Sequence, residues 1–440
     1  MSATPASIRF IELEARALLN RLERLKPFAL QLTSVPAAAV VPAAQTGIEK
    51  LLATGKRELK SRLLAHVGWL KSEEARNAGA AEAQRRFTLL RLRFNQVLAH
   101  VDLFADALVQ RSEHEYGTWL GGLDMAAADA LALPGYYESP PLICYLDRGA
   151  GAAIRRARTR LPGGGENPVA IIRVPRERMI GSGIASSLFH EVGHQGAALL
   201  GLVESLRPVI HERQLADRAH AIAWESWGRW ISEIVADLWS VSMLGITATN
   251  GLLAVVSLPR AFVFRHGGDD PHPFPWIRVM LGCAMGRAIY PDAQWDALQS
   301  HWLAFYPPAG LDAERQKLLQ LLVDTLPDFA ALLAAHQPAL LRGSTIPSAL
   351  GAAERQPARL RELWREWSDN AEATRHATPS VAFAVLGQAR WDGELSPESE
   401  SDWLSRLLTF WALRGTLDLS ELCADAGRQH SLSTRTITNN

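Results

Sequence analysis

The chain has 440 residues, of which 48% are hydrophobic and 21% charged, with 46 Lys and Arg against 46 Asp and Glu. A net charge of zero leaves no electrostatic footprint for a polyanion, which argues against a nucleic-acid binder and against a protein held on an anionic membrane. Three scattered cysteines, Cys144, Cys283 and Cys423, supply neither a disulfide framework nor a thiolate zinc site.

The first residues, MSATPASIRFIELEAR, contain no basic stretch leading into an apolar run. No secretory signal is expected, and the cytoplasm is the expected location. Ile8, Ile11, Ala15, Leu18, Leu22 and Leu25 alternate spacings of three and four, which predicts an amphipathic helix behind a cap at Ser7. Pro27 to Ile48 is uncharged but holds Pro27, Pro36 and Pro42, so it reads as a linker and not a membrane span. The three-four rhythm returns loosely from Ile48 to Leu70, then at Phe87, Leu90, Phe94, Val97, Val101, Phe104 and Leu108. These stripes predict a helical bundle or hairpin whose apolar faces pair internally or with a second copy of the chain.

Beyond residue 132 the texture changes. Leu142 to Leu146 and Pro168 to Pro175 are short apolar runs bounded by glycine or proline and read as strands. Arg155, Arg156, Arg158 and Arg160 read as a solvated helix face. After Ser182 the pattern is helical almost to the end. Trp224, Trp227, Trp230 and Trp239 recur at helical spacing and are expected in the core. Leu238 to Pro259 is a second uncharged window, but Thr247, Thr249, Asn250 and Gly251 fall in its middle, so a core helix, a turn and another helix are expected. The expected fold is α+β and mostly α: a helical region at 1–131, a catalytic core with a short sheet and an active-site helix at 132–310, a helical region at 311–428 and a mobile tail at 429–440.

One segment carries chemistry. In Leu188-Phe-His-Glu-Val-Gly-His194, His190 and His194 lie four apart on one helix face and can offer two imidazoles to one metal, with Glu191 beside them to reach a metal-bound water. Catalytic zinc takes three protein ligands and leaves a position for water. Glu233, in Trp230-Ile-Ser-Glu-Ile-Val-Ala-Asp237, is the candidate third ligand. Asp237, one turn further, is placed to accept the outer N–H of a ligand histidine.

Together with His272-Pro273-Phe-Pro-Trp-Ile-Arg278, these elements resemble the gluzincin metallopeptidases, and the Glu-x-x-Ala-Asp form is most similar to the CaaX prenyl protease and heat-shock membrane protease branch. The three elements occur in that branch's order. The likeness covers about residues 168–285 and implies a zinc metalloendopeptidase in which Glu191 is the general base. By the same likeness His272 stabilises the oxyanion, Arg278 orients it or meets substrate, and Tyr290 is a weaker donor candidate. It also implies that the strand at Val169, Ala170, Ile171 and Ile172 is an edge that pairs with an extended peptide substrate. The branch is typically embedded by several membrane spans, which this chain does not show, so prenylated or membrane substrates are not carried over. Gly196 stands where the branch has a bulkier apolar residue. Arg265 to Pro271 reads as a loop that could act as a lid hinged at Gly267 and Gly268. The alternatives are a zinc hydrolase dedicated to one substrate, or a helical scaffold or effector with a structural or vestigial zinc site.

Overall fold

The computed structural model describes residues 3–28, 35–148, 151–161, 164–176, 181–267 and 270–437. It is mostly helical with one small sheet. Helices α1 (Ala3–Arg24), α2 (Pro42–Leu70) and α3 (Glu73–Val109) pack on one another as a bundle. The predicted stripe forms its seam, with Ile8, Ile11, Ala15, Leu18 and Leu22 buried against Leu59, Leu63, Phe87, Phe94 and Val97. α1 begins at Ala3, so Ser7 lies within the helix and is not its cap. Ser72 does cap α3, accepting from the Ala75 amide at 3.3 Å, with Glu73 and Glu74 favourably placed in the first turn. α3 bends at Gly79, whose φ of 83° only glycine adopts readily.

The expected linker does not run free. Residues 29–34 lie outside the described residues, but Phe28, Ala37, Ala38, Val40 and Ala44 are all buried, and α2 starts at Pro42, a favoured first helical position. α4 (His114–Leu131) follows, then strands β1 (Leu142–Asp147), β2 (Ala153–Arg155) and β3 (Ala170–Pro175).

The sheet has the order β1-β3-β2. β1 runs parallel to β3 in register Leu142↔Ala170, and β2 runs antiparallel to it in register Ile154↔Ile172. This corrects the expected substrate strand. β3 is central, so the backbone groups of Ala170, Ile171 and Ile172 are taken up by neighbouring strands; the open edge near residue 172 belongs to β2. Arg155 lies on that strand and Arg156 and Arg158 in the turn after it, with Arg160 forming a bridge to Glu166, so the arginine run is not a helix face. β1 and β3 are buried on both faces, which is why they read as near-continuous apolar runs, whereas β2 is exposed at Ala153 and Arg155. Ile143, Val169 and Ile171 face Phe104, Ala107 and Leu108 of α3. Cys144, Leu146, Ala170, Ile172 and Val174 face the larger core.

That core is built by α5 (Gly183–Leu200), α6 (Leu202–Ala216), α7 (Ala221–Leu244), α8 (Ile246–Val256), α9 (Arg260–Val263), α10 (Pro275–Ile289), α11 (Gln294–Phe305), α12 (Ala313–Ala335), α13 (Ile346–Ala349), α14 (Pro357–Asp369), α15 (Pro379–Trp391) and α16 (Pro397–Ile437). One continuous apolar cluster runs from Leu120 of α4 to Trp411 of α16. This cluster crosses the expected boundaries at 131 and 310. The expected tail falls on the end of α16; 438–440, and the side chains after Glu421, lie outside the described residues.

Trp224, Trp227, Trp230 and Trp239 are all buried, as expected. The Leu238 to Pro259 window is the expected helix, turn and helix: α7 ends at Leu244, Gly245 turns at φ 58°, and α8 follows. One described helix, α12, is long and apolar enough by length and composition to cross a membrane. In this fold it buries Leu319, Leu322, Leu326, Phe329, Ala330 and Leu333.

Candidate metal centre

α5 and α7 form the centre. At Gly193 a Cβ would lie 2.9 Å from the Cα of Ala236 and 3.0 Å from its carbonyl oxygen, so the missing side chain lets the two backbones touch. This close approach carries Glu233 to the face of α5 that presents His190 and His194, whose rings stand perpendicular with centroids 4.8 Å apart.

Glu233 Oε2 is 3.2 Å from His190 Nε2 and 3.4 Å from His194 Nε2, and the ligand atoms of the three residues lie within 4.8 Å of one another. They could hold a metal ion. Glu233 Oε2 is buried without a partner in hydrogen-bond geometry. The ring nitrogens are therefore near enough to pair with it electrostatically, yet they converge around it and do not aim at it. A buried oxygen orphaned among nitrogens fits a shared cation, which would satisfy all three ligands at once. Burial alone would raise the Glu233 carboxyl, but the rings of His190, His194 and His272 more than offset it and hold the group far below the usual range.

His190 is held from outside by an acidic partner. His190 Nδ1 lies 2.7 Å from Asp237 Oδ1, one turn along α7 from Glu233. Burial opposes protonation of His190, yet Asp237 and Glu233 outweigh it and push the ring up to about 9. That raised basicity makes Nε2 a stronger donor to a metal. Asp237 is held in turn by Arg278 of α10, whose Nε donates to Oδ2 at 2.7 Å and whose Nη2 donates to Oδ1 at 2.8 Å. This planar fork matches a carboxylate. Arg278 therefore positions the Asp237 and His190 pair; its hydrogen bonds go to Asp237, with Nη2 also 3.3 Å from His190 Nδ1, and not, as one expectation had it, to His272.

Glu191, on α5 between the histidines, is 8% exposed, and burial raises its carboxyl pKa. His272 reaches the centre from the loop before α10, its Nε2 3.1 Å from Glu233 Oε2. Asp270 fixes it, 2.9 Å from Nδ1 and 3.0 Å from the His272 backbone N–H, which donates to Oδ1. The expected hinge falls partly on 268–269, which lie outside the described residues.

Tyr290 is elsewhere: fully buried, with its hydroxyl donating to the Ser242 carbonyl, it is no oxyanion donor. Ala170 to Ile172 belong to the central strand, and Val169 immediately precedes it. A cavity of about 130 Å³ opens beside the centre, lined by His190, Glu191, Asp237, His272 and Arg278 together with Gly151, Ser186, Ser240, Thr249 and Gly282. Sequence reasoning missed these small residues, because nothing in their type or spacing marks them.

No family model, characterised protein or solved structure matches the chain.

Proposed function

We propose that the chain is a gluzincin-like zinc-dependent metallopeptidase. The observation that carries this reading is the convergence of His190, His194 and Glu233 with Glu191 adjacent and a cavity in front. An all-nitrogen-and-oxygen set of three ligands suits catalytic zinc, and a structural site would be closed by a fourth. Zinc held there supplies Lewis acidity, making a water more acidic and polarising a carbonyl.

The chain's own groups account for the remaining steps. Glu191 takes the proton of the attacking water, its burial raising its basicity toward the working pH, and then hands that proton to the leaving amine. His272 Nε2, aimed by Asp270, donates to the oxygen that gains charge as the carbonyl becomes tetrahedral. Arg278 and Asp237 keep the His190 ring in the tautomer that frees Nε2. The open edge of β2, next to Gly151 and Ala152 at the cavity, offers main-chain groups to an extended peptide, the role first expected of β3.

The test is metal analysis of the purified chain together with a peptide-library cleavage assay on wild type and Glu191→Gln. One zinc per chain, with cleavage lost in the variant, is expected. Equal cleavage by both proteins, or no stoichiometric zinc, overturns the reading. Stoichiometric zinc without cleavage by either would favour the scaffold alternative.

A further inference from the structure

Residues 147–178 hold eight arginines and no lysine against three acids, Asp147, Glu166 and Glu177, in a chain whose charges balance overall. Arg155 ends β2, and Arg156, Arg158 and Arg160 follow it; all four are exposed. Among the described residues none of the four has an ion partner, and Asp147 is taken by Arg173 at 3.7 Å. The guanidinium of Arg158 donates to a carbonyl, that of Glu138, at 3.2 Å.

This segment is tied to the metal helix. Gln195, next to His194 on α5, accepts the Ala157 N–H at 2.8 Å, and the Asn167 side chain donates to the Arg155 and Arg156 carbonyls at 3.3 and 3.0 Å. Arg158 holds a φ of 60°, a value that suits glycine and is unfavourable for a residue with a side chain. β2 has three residues, and one charge is enough to keep so short an edge from pairing with another copy. The arginine run exceeds that need.

Gly151 and Ala152 line the cavity, four and three residues before Arg155. A strand advances about 3.3 Å per residue, so Arg155 stands roughly 10–13 Å along the edge from the cavity. A peptide paired with that edge keeps the same pitch. Its residue three or four positions from the one over the cavity then lies beside Arg155, with Arg156 next in line. Opposite charges on neighbouring strands attract, and at an exposed place they do so without losing their water. Inside the cavity the charges are mixed, since Glu191 and Asp237 line it together with His272 and Arg278. The cationic surface is therefore outside the cavity, along the path of the chain leading to it.

We infer that the substrate is an acidic peptide, with Asp or Glu three or four residues from the scissile bond on one side, recognised by Arg155 and Arg156. This rests on the peptidase reading above and names the substrate class for it.

The experiment uses the full zinc-loaded chain and a random peptide library, with cut sites read by mass spectrometry. Wild type is compared with a variant carrying Arg155→Glu and Arg156→Glu, two exposed positions, and zinc content checks that the variant keeps its centre. Wild-type cut sites should show Asp and Glu enriched about fivefold at the third and fourth residues on one side, as two exposed ion pairs allow. The enrichment should shrink as salt rises from about 50 to 500 mM, and in the variant it should give way to Lys and Arg. Cleavage by wild type without acidic enrichment, or the same enrichment in the variant, overturns this inference alone. So does binding of a mixed-sequence oligonucleotide by wild type and not by the variant, in the absence of acidic enrichment, which would assign the arginines to a nucleic acid. Absence of any cleavage by wild type overturns the peptidase reading, and this inference with it.

Discussion

The indole of Trp239 fills the volume that a side chain at Gly196 would need: a Cβ there would lie 2.4 Å from the ring Cη2. The bulk at this crossing is carried by Trp239 of α7, and α5 leaves room for it at Gly196. Gly196→Val is expected to destabilise the fold by about 1–3 kcal/mol through overpacking. Thermal or denaturant unfolding checks this, and an unchanged midpoint would refute it.

Gly193 gives a sharper version, because its neighbour is the Ala236 backbone, which cannot rotate away. Gly193→Ala is expected to push α7 off α5 and draw Glu233 back from the histidines. Zinc affinity, measured by competition with a chelator, should weaken by tenfold or more while the helical content by circular dichroism persists.

Asp237→Asn replaces an acceptor-only carboxylate that serves His190 and Arg278 together. Losing such a partner typically weakens metal binding by about 10–100-fold. The same competition assay should show this, and Arg278→Lys should produce part of the effect, since an ammonium cannot make the two-pronged contact.

His66 predicts a pH effect remote from the centre. It is buried between Trp69 and Phe87, its Nε2 has no partner, and burial followed by the charge of Arg86 lowers its pKa. The folded ring resists protonation more than the unfolded one, so its contribution to stability is intact above ~6.5 and is lost as pH falls through the lower folded value. His66→Phe should therefore flatten the decline in melting temperature between pH 8 and 5. A decline parallel to that of wild type would contradict this.

Arg111 is 1% exposed and joins two elements: its guanidinium donates to Asp124 of α4 at 2.7 and 3.1 Å and to the Cys144 carbonyl of β1 at 2.6 Å. Arg111→Met leaves the Asp124 carboxylate buried without its counter-charge, an expected loss of about 3–5 kcal/mol. Denaturant midpoints of this variant and of Arg111→Met with Asp124→Leu test it, because the double replacement should recover much of the loss.

The candidate metal centre was legible in the sequence because helical geometry is local: a spacing of four places His190 with His194, and the same spacing places Glu233 with Asp237. The N-terminal stripes were legible for the same reason. Strand order was not, since whether β2 or β3 forms the edge depends on a pairing between residues far apart in the chain. Nor was the role of Arg278, whose partner lies on another helix. α4 has ordinary helical periodicity, and nothing local tells that it joins the larger core.

The phenylalanines of α3 serve two clients, Phe87 and Phe94 sealing the bundle and Phe104 covering the back of the sheet with Phe28, Val40 and Ile48. Cutting away the leading helices would thus strip the roof from Ile143, Val169 and Ile171, and the strand that frames the cavity mouth hangs on that same sheet. The amino-terminal third is for this reason a supporting wall of the centre, one that could not be shed as a removable cover without bringing down part of what it was covering.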